Sequence, residues 1–470
     1  MGKTIVMKFG GTSVGNGTSI RHVANLVSEN AKQGNKVVVV VSALSTVTNS
    51  LIEVASQACK GTEQQIKDFT TALYQKHAQA IAEAVKNPDL QKEIEQITQK
   101  AVGELEKVLT GICYVGELTP KSKDYVLSFG ERLSAPIVWG ALRDLGEKAE
   151  CFTGKDAGIV TDDVFGNASP LMNVTTHLLK ERLEPLLEKG VIPVVTGFIA
   201  ATQDGVTTTI GRGGSDYTAT ILGVALCADE VWIWTDVDGI MTADPKIIPS
   251  AKMLPELSYQ EAAEMAIFGA KAMHPRALEP VIEAKIPVRI RSTMRPENQG
   301  TLITNAENAK STGAVKAVAL IKDVAMVNVN GASMVGAPGS YAKVFDVLGK
   351  NNINIMMVST AVSEANISMV IRRSLVGRAL STLEIALLGR GAVSEVTAED
   401  DVAVVAVMGA NMKGTRGIAS KIFAIVANAG INIRMIAQGS SELNISFVVK
   451  EKDGAAVVKA IHEAFQLDKL

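Results

Sequence analysis

A lysine and two glycines near the N-terminus form the first group of residues that can do chemistry. Residues 8–13 read Lys-Phe-Gly-Gly-Thr-Ser and lie between an apolar segment and a helical one. Paired glycines let the backbone approach a ligand closely, and successive amides can form an anion-binding nest. Lys8 adds a point charge that suits phosphate oxygens. The turn predicts a phosphate site; the alternative is an ordinary strand-to-helix turn.

A second glycine cluster adds an arginine and an acid. Residues 209–217 read Thr-Ile-Gly-Arg-Gly-Gly-Ser-Asp-Tyr and precede another helical stretch. Arg212 can bind a carboxylate with both guanidinium nitrogens, and Asp216 can cap the helix and orient nearby lysines. The alternative is a capped loop with a surface arginine. Two anion-receptive loops in one domain indicate two anionic ligands or the two ends of one reaction.

Two further segments are weaker signals when each is taken alone. Residues 234–239 (Trp-Thr-Asp-Val-Asp-Gly) end an apolar run and are followed by Asp244-Pro245-Lys246. Nucleotides usually bind at the carboxyl edge of such strands, although Asp-Gly is also a routine turn signal. Residues 268–275 contain Lys271, which can reach a phosphate or simply be a solvated charge. The chain has no Gly-x-x-x-x-Gly-Lys-Ser/Thr motif, so a P-loop fold is disfavoured.

The elements that must position these residues follow an α/β rhythm over roughly the first 300 residues. Several apolar runs have no polar alternation, as expected for strands buried on both faces. Helical stretches lie between them, so we expect a three-layer α/β domain with a mostly parallel central sheet. A glycine-poor helical excursion is expected at about 60–125, covering the substrate side as a helix pair. The predicted strands are 5–9, 37–42, 191–198, 231–235 and 287–290.

The C-terminal part of the chain contains an internal repeat. Residues 324–370 align without a gap on residues 402–448, an offset of 78 residues. Both copies share Gly-Ala-x-Met-x-Gly, Ile-Asn-Ile and Ser-Glu-x-Asn-Ile-Ser, which indicates a duplication. Each copy reads as a βαββ unit of the ferredoxin-like type. The expected domains are residues 1–305, 306–395 and 396–470, with a strand near 314–321 as a candidate to complete the last one.

Composition excludes several classes of function. At 470 residues the chain needs more than one core, and 47% hydrophobic residues fit a folded protein. Lys and Arg (47) nearly balance Asp and Glu (49), so we expect no nucleic-acid or membrane partner. No apolar run is long enough for a membrane helix. The four cysteines and five histidines lack metal spacing, so reduced thiols, no zinc and a cytoplasmic location are expected.

Taken together and in this order, these segments resemble aspartate kinases of the amino-acid kinase superfamily. The resemblance covers essentially the whole chain, including Ser-Phe-Gly-Glu-Arg-Leu at 128–133 and a C-terminal pair similar to ACT modules. It implies phosphoryl transfer from Mg-ATP to the β-carboxylate of L-aspartate, the first step toward lysine, threonine, methionine and isoleucine. Such a transfer depends on positioning and charge rather than on a nucleophilic side chain. A kinase for another small carboxylate on the same fold is the alternative.

The resemblance also implies residue roles. Lys8 and Asp216 are the implied catalytic pair, with Lys8 stabilising the transferred phosphoryl group and Asp216 organising lysines and phosphates. Arg212 is expected to bind the α-carboxylate of aspartate and Glu131 its ammonium group. Magnesium is expected to arrive with ATP, without an identified protein ligand. The implied nucleotide residues are Lys8, Gly10, Gly11, Thr235, Asp236, Met241, Lys246 and Lys271; the implied aspartate residues are Ser42, Thr48, Glu131, Arg212 and Ser215.

Two positions depart from the family pattern. Members often have an aromatic residue where Met241 stands and an arginine where Lys246 stands. Methionine can still pack on adenine, whereas lysine keeps the charge but loses the bidentate fork. Nucleotide affinity or base selectivity is therefore expected to differ, with the catalytic set complete.

The ACT-like repeats predict feedback by an amino acid, lysine or threonine. The implied effector residues are Met334, Gly336, Asn354 and Ile355, near a glycine turn whose amides can receive a carboxylate. Lysine-sensitive relatives tend to have an aspartate where Met356 stands, so threonine is favoured, because an unpaired lysine charge is costly in an apolar pocket.

The two Ile-Asn-Ile segments, 353–355 and 431–433, are interpreted as strand edges that pair with another subunit in a dimer or tetramer. Repeats that only dimerise the enzyme are the alternative. A regulator with an inactive kinase domain would be expected to lack Lys8, Glu131, Arg212 or Asp216, and all four are present. Bifunctional relatives carry a fused homoserine dehydrogenase half, which would need a dinucleotide-binding site. The chain has no Gly-x-Gly-x-x-Gly dinucleotide-binding fingerprint, so a monofunctional enzyme is expected.

Overall fold

A computed structural model describes residues 2–268, 273–305, 313–362, 365–388 and 393–469. The strands are β1 (Thr4–Phe9), β2 (Lys36–Val41), β3 (Ala149–Phe152), β4 (Val160–Thr161), β5 (Ile192–Thr196), β6 (Ile199–Thr202), β7 (Thr207–Thr209), β8 (Glu230–Thr235), β9 (Glu256–Ser258), β10 (Val288–Ser292), β11 (Thr301–Thr304), β12 (Ala317–Asn330), β13 (Met357–Thr360), β14 (Asn366–Arg372), β15 (Glu395–Met408), β16 (Met435–Ala437) and β17 (Asn444–Lys450). The helices are α1 (Gly17–Lys32), α2 (Val47–Ala58), α3 (Glu63–Ala84), α4 (Pro88–Val115), α5 (Pro120–Asp144), α6 (Gly154–Ala157), α7 (Met172–Glu188), α8 (Gly214–Ala225), α9 (Tyr259–Ile267), α10 (Glu279–Ala284), α11 (Ser340–Lys350), α12 (Val376–Leu383), α13 (Ile418–Asn428) and α14 (Glu451–Ala464).

The chain forms two compact units, and their boundaries differ from a simple cut at residue 305. Two segments of the expected first domain, Met241–Leu254 and Gln260–Ala270, belong to the C-terminal unit. Long-range packing, which sequence periodicity does not report, decides this grouping. The N-terminal unit comprises Met1–Ile240, Pro255–Tyr259 and Lys271–Ala309; the C-terminal unit comprises Met241–Leu254, Gln260–Ala270 and Lys310–Leu470.

The N-terminal unit is built on a mostly parallel sheet, which confirms the α/β prediction. In the described residues its strand order is β3-β5-β2-β1-β8-β10-β11-β9, parallel from β3 to β10 and antiparallel between β10 and β11. Every residue of β1 and β2 after the first is buried, as their apolar, β-branched sequences predict. A small second sheet has the order β4-β6-β7.

The expected single strand at residues 191–198 is interrupted. Strand β5 ends at Thr196, and Phe198 adopts a positive φ of 66° before β6 begins. Gly197 is required at the break, because a Cβ there would lie 2.6 Å from the Ser215 hydroxyl oxygen. An apolar run therefore contains a turn, which hydrophobicity alone could not reveal.

Helices α3 and α4 form the helical excursion. A capping box of Thr62 and Gln65 begins α3. Asn87 caps α4 ahead of Pro88, and Gly116 ends it in the left-handed conformation. These local signals explain why two long helices interrupt the α/β alternation.

The C-terminal unit contains the two repeats in one six-stranded sheet, described in the order β13-β14-β12-β15-β17-β16. The long strands β12 and β15 pair antiparallel in its centre. Since β12 belongs to the first repeat and β15 to the second, this pairing joins the two repeats into one sheet. Each copy is a βαββ unit followed by a further helix, α12 or α14. The Ile-Asn-Ile segments were expected to be strands, but the edge strands β13 and β16 begin only after them, at Met357 and Met435.

A buried ion pair fixes helix α9 within the C-terminal unit. Lys316 Nζ lies 3.0 Å from Glu261 Oε2, and the two side chains are 4% and 1% exposed. The other carboxylate oxygen of Glu261 accepts a hydrogen bond from the Ala410 amide at 2.8 Å, in the glycine turn of the second repeat. On the segment Met241–Leu254, the Thr242 hydroxyl lies 3.0 Å from His462 Nε2.

Among the residues that the structure describes, none of the helices has the length and apolarity needed to cross a membrane.

Candidate functional site

The predicted site residues of the N-terminal unit gather at the carboxyl edge of its sheet. Strands β5, β2, β1 and β8 are adjacent and parallel, so their carboxyl ends meet at one edge. Gly197 follows β5, Ser42 follows β2, Gly10 follows β1 and Asp236 follows β8. Residues that are far apart in the sequence are thereby brought to one surface of the fold.

Lys8 and Asp216 form an ion pair at the centre of this edge. Lys8 Nζ lies 2.5 Å from Asp216 Oδ1, and the side chains are only 11% and 10% exposed. Asp216 occupies the first turn of α8, so it joins the helix N-terminus to strand β1. A Cβ on Gly10 would lie 3.5 Å from Lys8 Nζ, so the glycine backbone runs close beside the ammonium group. A fixed, partly desolvated cation results.

Glu131, on helix α5, is a buried carboxyl group with an incomplete hydrogen-bond set. It is 3% exposed, and its Oε1 accepts a hydrogen bond from the Ala43 amide at 3.2 Å. Among the described residues, its buried Oε2 has no hydrogen-bond partner. Burial raises the pKa of Glu131 to about 8, against the opposing effects of backbone amides and the Lys8 charge. The carboxyl group is thus suited to a cationic ligand.

Loop residues after β2 lie beside Glu131. The Ser134 hydroxyl donates to the Ser42 carbonyl at 2.8 Å, which joins α5 to the end of β2. Thr48, in the first turn of α2, has its Oγ1 3.8 Å from where a Cβ on Gly130 would lie. Ser42 and Thr48 are both half-buried. The structure therefore brings three of the predicted aspartate residues, including Glu131, close to one another.

The second glycine cluster forms the turn before α8. Gly211 and Gly213 have φ values of 80° and 72°, a region that glycine adopts without strain. A Cβ on Gly213 would lie 2.2 Å from the Cβ of His274, so the backbone passes very close to that residue. Arg212, between the two glycines, is exposed. Burial lowers the pKa of His274, and the nearby Arg212 charge lowers it further.

Asp124 is a positioning residue that the sequence analysis missed. It is fully buried and accepts hydrogen bonds from the Gly166 amide (2.9 Å), the Thr209 amide (2.8 Å) and the Thr209 hydroxyl (2.8 Å). Burial raises the pKa of Asp124, while these hydrogen bonds lower it. Asp124 therefore fixes the strand that leads into the glycine turn. A lone acid on a helix gave no sequence signal of this role.

Arg276 supports the same turn from the other side. Its guanidinium donates to Asn167 Oδ1 at 2.6 Å and to the Ile210 carbonyl at 3.3 Å. It also lies 5.0 Å from the centroid of the Tyr217 ring. Its position just after the His-Pro pair that ends the segment 268–275 was the only sequence signal that could have indicated this role.

The predicted nucleotide residues are divided between the two units. Thr235 and Asp236 are on the N-terminal unit, half-buried and exposed respectively, with their side-chain oxygens 3.1 Å apart. Met241 and Lys246 belong to the C-terminal unit, where Met241 forms a β-bridge with Met253. Lys271 lies outside the described residues. That these residues line one nucleotide site stays a prediction.

The predicted effector residues all lie in the first repeat. Met334 is buried in its core, and Ile355 packs against the same core. Gly336 has a φ of 64°, and both it and Asn354 are exposed. Their role in binding an effector stays a prediction.

Carboxylate and imidazole groups do not converge into a metal centre in the described part of the chain. No set of three or more His, Cys, Asp or Glu side chains with metal-binding geometry occurs there.

Comparisons with known sequences agree with this architecture. The sequence pattern of the amino acid kinase family matches residues 3–292, and that of the ACT domain matches residues 327–387 and 405–465. The two ACT matches are offset by the same 78 residues as the internal repeat, from 327 to 405. Aspartokinase 1, chloroplastic, of Arabidopsis thaliana is 33% identical over 99% of this chain and 80% of its own length.

Solved structures share the whole fold. E. coli aspartokinase III in complex with aspartate and ADP (R-state) is 30% identical, with a TM-score of 0.82, and the match covers 98% of this chain and 99% of that one. The same E. coli protein in complex with lysine and aspartate (T-state) is 29% identical, with the same TM-score and coverage.

The pKa of Glu131 predicts a pH dependence of stability that Glu131→Gln removes. Because the folded-state pKa (about 8) exceeds the ordinary value of 4.5, the folded state holds this proton more tightly. The contribution of this carboxyl group to the free energy of unfolding is therefore fully present below pH 4.5 and is lost as pH rises through 8. One pKa unit corresponds to about 1.4 kcal/mol, so a loss on the order of a few kcal/mol is expected.

Urea unfolding between pH 5 and pH 9 measures this loss. All three tryptophans (Trp139, Trp232 and Trp234) lie in the N-terminal unit, so their fluorescence reports on it. The wild type should lose stability relative to Glu131→Gln as pH rises, whereas the exposed control Glu117→Gln should follow the wild type. Parallel stability curves for the wild type and Glu131→Gln would contradict the assignment.

Proposed function

The chain belongs to the amino acid kinase family and, within it, to the aspartokinases, and on that premise we propose that it phosphorylates the β-carboxylate of L-aspartate. ATP is the phosphoryl donor, and the products are 4-phospho-L-aspartate and ADP. The observation that carries the proposal is the buried Glu131 carboxyl group, which lies close to the Lys8–Asp216 ion pair and has one oxygen without a hydrogen-bond partner among the described residues. The reaction would be the first step toward lysine, threonine, methionine and isoleucine.

Substrate recognition follows from the charges at the sheet edge. Glu131 binds the ammonium group of aspartate, which supplies the counter-charge that the buried carboxylate lacks. Arg212, exposed between two glycines, binds the α-carboxylate through its planar guanidinium. Hydroxyl groups complete the site as hydrogen-bond donors and acceptors. They belong to Ser42, Thr48 and Ser215.

The chemical step needs positioning and charge stabilisation. An oxygen of the β-carboxylate attacks the γ-phosphorus, and the bond from phosphorus to the bridging oxygen of ADP breaks. The carboxylate is already ionised, so no general base is required. Lys8 stabilises the negative charge on the transferred group, and Asp216 holds Lys8 in place. The Gly11 amide is proposed to face the phosphates; the Gly10 amide, which was expected to do the same, instead donates to the Trp234 carbonyl at 3.1 Å. Mg²⁺ bound with ATP would neutralise phosphate charge.

Substitution of Lys8 tests the catalytic role. Lys8→Ala should lower kcat by roughly 10²–10³-fold, the loss typical of one charge-stabilising donor. Release of ADP in a coupled assay measures the rate, and tryptophan fluorescence checks folding. Lys3→Ala is the matched control. It removes an exposed lysine that directly precedes the first residue of β1, far from the carboxyl edge, and it should keep normal activity. Near-normal kcat in folded Lys8→Ala would contradict the role.

A kinase acting on another small carboxylate is the alternative, and one observation bears on it. Glu131 favours a substrate with a free ammonium group, which N-acetylglutamate and carbamate lack. The same ADP assay with aspartate, glutamate, N-acetylglutamate and carbamate separates these possibilities. Activity with N-acetylglutamate above that with aspartate would overturn the proposal.

The proposed feedback effector is threonine rather than lysine. Met356 lies against an apolar cluster, which offers no counter-charge to a lysine side chain. At the matching position in the second repeat, Arg434 is paired with Glu399 at 2.5 Å. E. coli aspartokinase III is known in complex with lysine and aspartate. The proposal for this chain rests on the surroundings of Met356 and Arg434.

Titration of activity with each amino acid tests the effector. Threonine should inhibit at concentrations where lysine has little effect. Met356→Asp should increase sensitivity to lysine, because the carboxylate pairs with the lysine ammonium group. Arg434→Ala leaves the first repeat intact and serves as the control. Inhibition of the wild type by lysine alone would overturn the proposal.

Assembly and location complete the proposal. The edge strands β13 and β16 bound the six-stranded sheet of the C-terminal unit, and edge strands favour pairing with a second copy. A homo-oligomer, dimer or tetramer, is therefore proposed. A cytoplasmic location is proposed because the four cysteines are widely spaced and read as reduced thiols.

A further inference from the structure

The loop after β2 contacts both halves of the proposed site. On one side, a Cβ on Gly11 would lie 3.0 Å from the Ala43 carbonyl oxygen, and one on Gly15 would lie 3.5 Å from Ser45 Cβ. On the other side, the Ala43 amide donates to Glu131. The loop therefore packs on the phosphate turn and on the residue proposed to bind the substrate ammonium. Any shift of this loop therefore changes both the phosphate turn and the surroundings of Glu131.

The loop contains a strained residue. Thr46 has φ 72° and ψ −18°, in the left-handed region, where a β-branched side chain is a genuine outlier. Its side chain makes no capping hydrogen bond to α2, which begins at Val47. Such a conformation costs on the order of 1–3 kcal/mol and persists only where the surroundings impose it. Something outside the loop must therefore stabilise it.

Lys76, on helix α3, makes the contacts that can do so. Its Nζ donates to the Ser45 carbonyl at 2.6 Å and to Thr46 Oγ1 at 3.0 Å. The two hydrogen bonds hold consecutive residues at the point of strain. Charge-assisted hydrogen bonds are the stronger kind, and the ammonium group here is partly removed from water. An ordinary solvated lysine would have no such pair of fixed partners.

We propose that Lys76 is a positioning residue for the kinase reaction: it holds the strained Ser45–Thr46 turn, and so the first turn of α2 with Thr48, against the aspartate site. The proposal rests on the proposed function and gives the helical excursion a role in catalysis. Without Lys76, Thr46 can relax to a negative φ, and the start of α2 moves. The substrate site then loses its shape while the Lys8–Asp216 pair stays in place.

A double-mutant cycle tests the proposal. Lys76→Met keeps the aliphatic stem and removes both hydrogen bonds, so KM for aspartate should rise roughly tenfold, with a smaller change in kcat. Thr46→Gly should be close to the wild type, because glycine adopts a positive φ freely. In the double variant, KM for aspartate should return most of the way to the wild-type value, because glycine removes the strain that Lys76 no longer offsets. Lys67→Met, an exposed lysine on the same helix, is the control.

Hydrogen exchange of residues 43–48 gives a second readout that does not depend on activity. Exchange should increase in Lys76→Met and return toward the wild-type rate in the double variant. An unchanged KM in Lys76→Met, or a double variant as impaired as Lys76→Met alone, would overturn the proposal. A wild type without aspartate-dependent ADP release would overturn the proposed function, and the exchange data would still decide whether Lys76 holds the turn.

Discussion

Burial of a carboxyl group without a counter-charge is the constraint on which the proposed substrate site depends. Glu131 has one satisfied oxygen and one buried oxygen with no hydrogen-bond partner in the described residues, so its ionised form is disfavoured. The nearby Lys8 charge is already paired with Asp216. A ligand with an ammonium group is then the natural partner of Glu131. Selectivity for a free amino acid follows from this imbalance more than from the shape of the fold.

The rest of the N-terminal unit keeps these charges in place. Asp124 and Arg276 fix the glycine turn before α8, and we infer that Lys76 fixes the loop after β2. In the C-terminal unit, Glu261 of α9 pairs with Lys316 and accepts a hydrogen bond from the Ala410 amide of the second repeat. That unit therefore contains two segments that sequence order alone would assign to the kinase domain.

Much of this could be predicted because the signals are local. The apolar strands, the glycine turns and the repeat offset by 78 residues are visible in the sequence, and they led to the fold and to Lys8 and Asp216. Glu131 was reached only through the resemblance to aspartate kinases. The missed features depend on long-range contacts. The break at Gly197 is imposed by Ser215, and the Ile-Asn-Ile segments precede the edge strands instead of forming them. A lone acid such as Asp124 looks like any other helical acid until its partners are known.

Proton release on aspartate binding tests the central claim most directly. With a pKa of about 8, Glu131 is mostly protonated at pH 7, and binding of an ammonium group should expel its proton. Isothermal titration calorimetry at pH 7, in buffers of different ionisation enthalpy, should give about one proton released per chain for the wild type. For Glu131→Gln it should give none, with weaker binding. A binding enthalpy of the wild type that does not depend on the buffer would contradict the account.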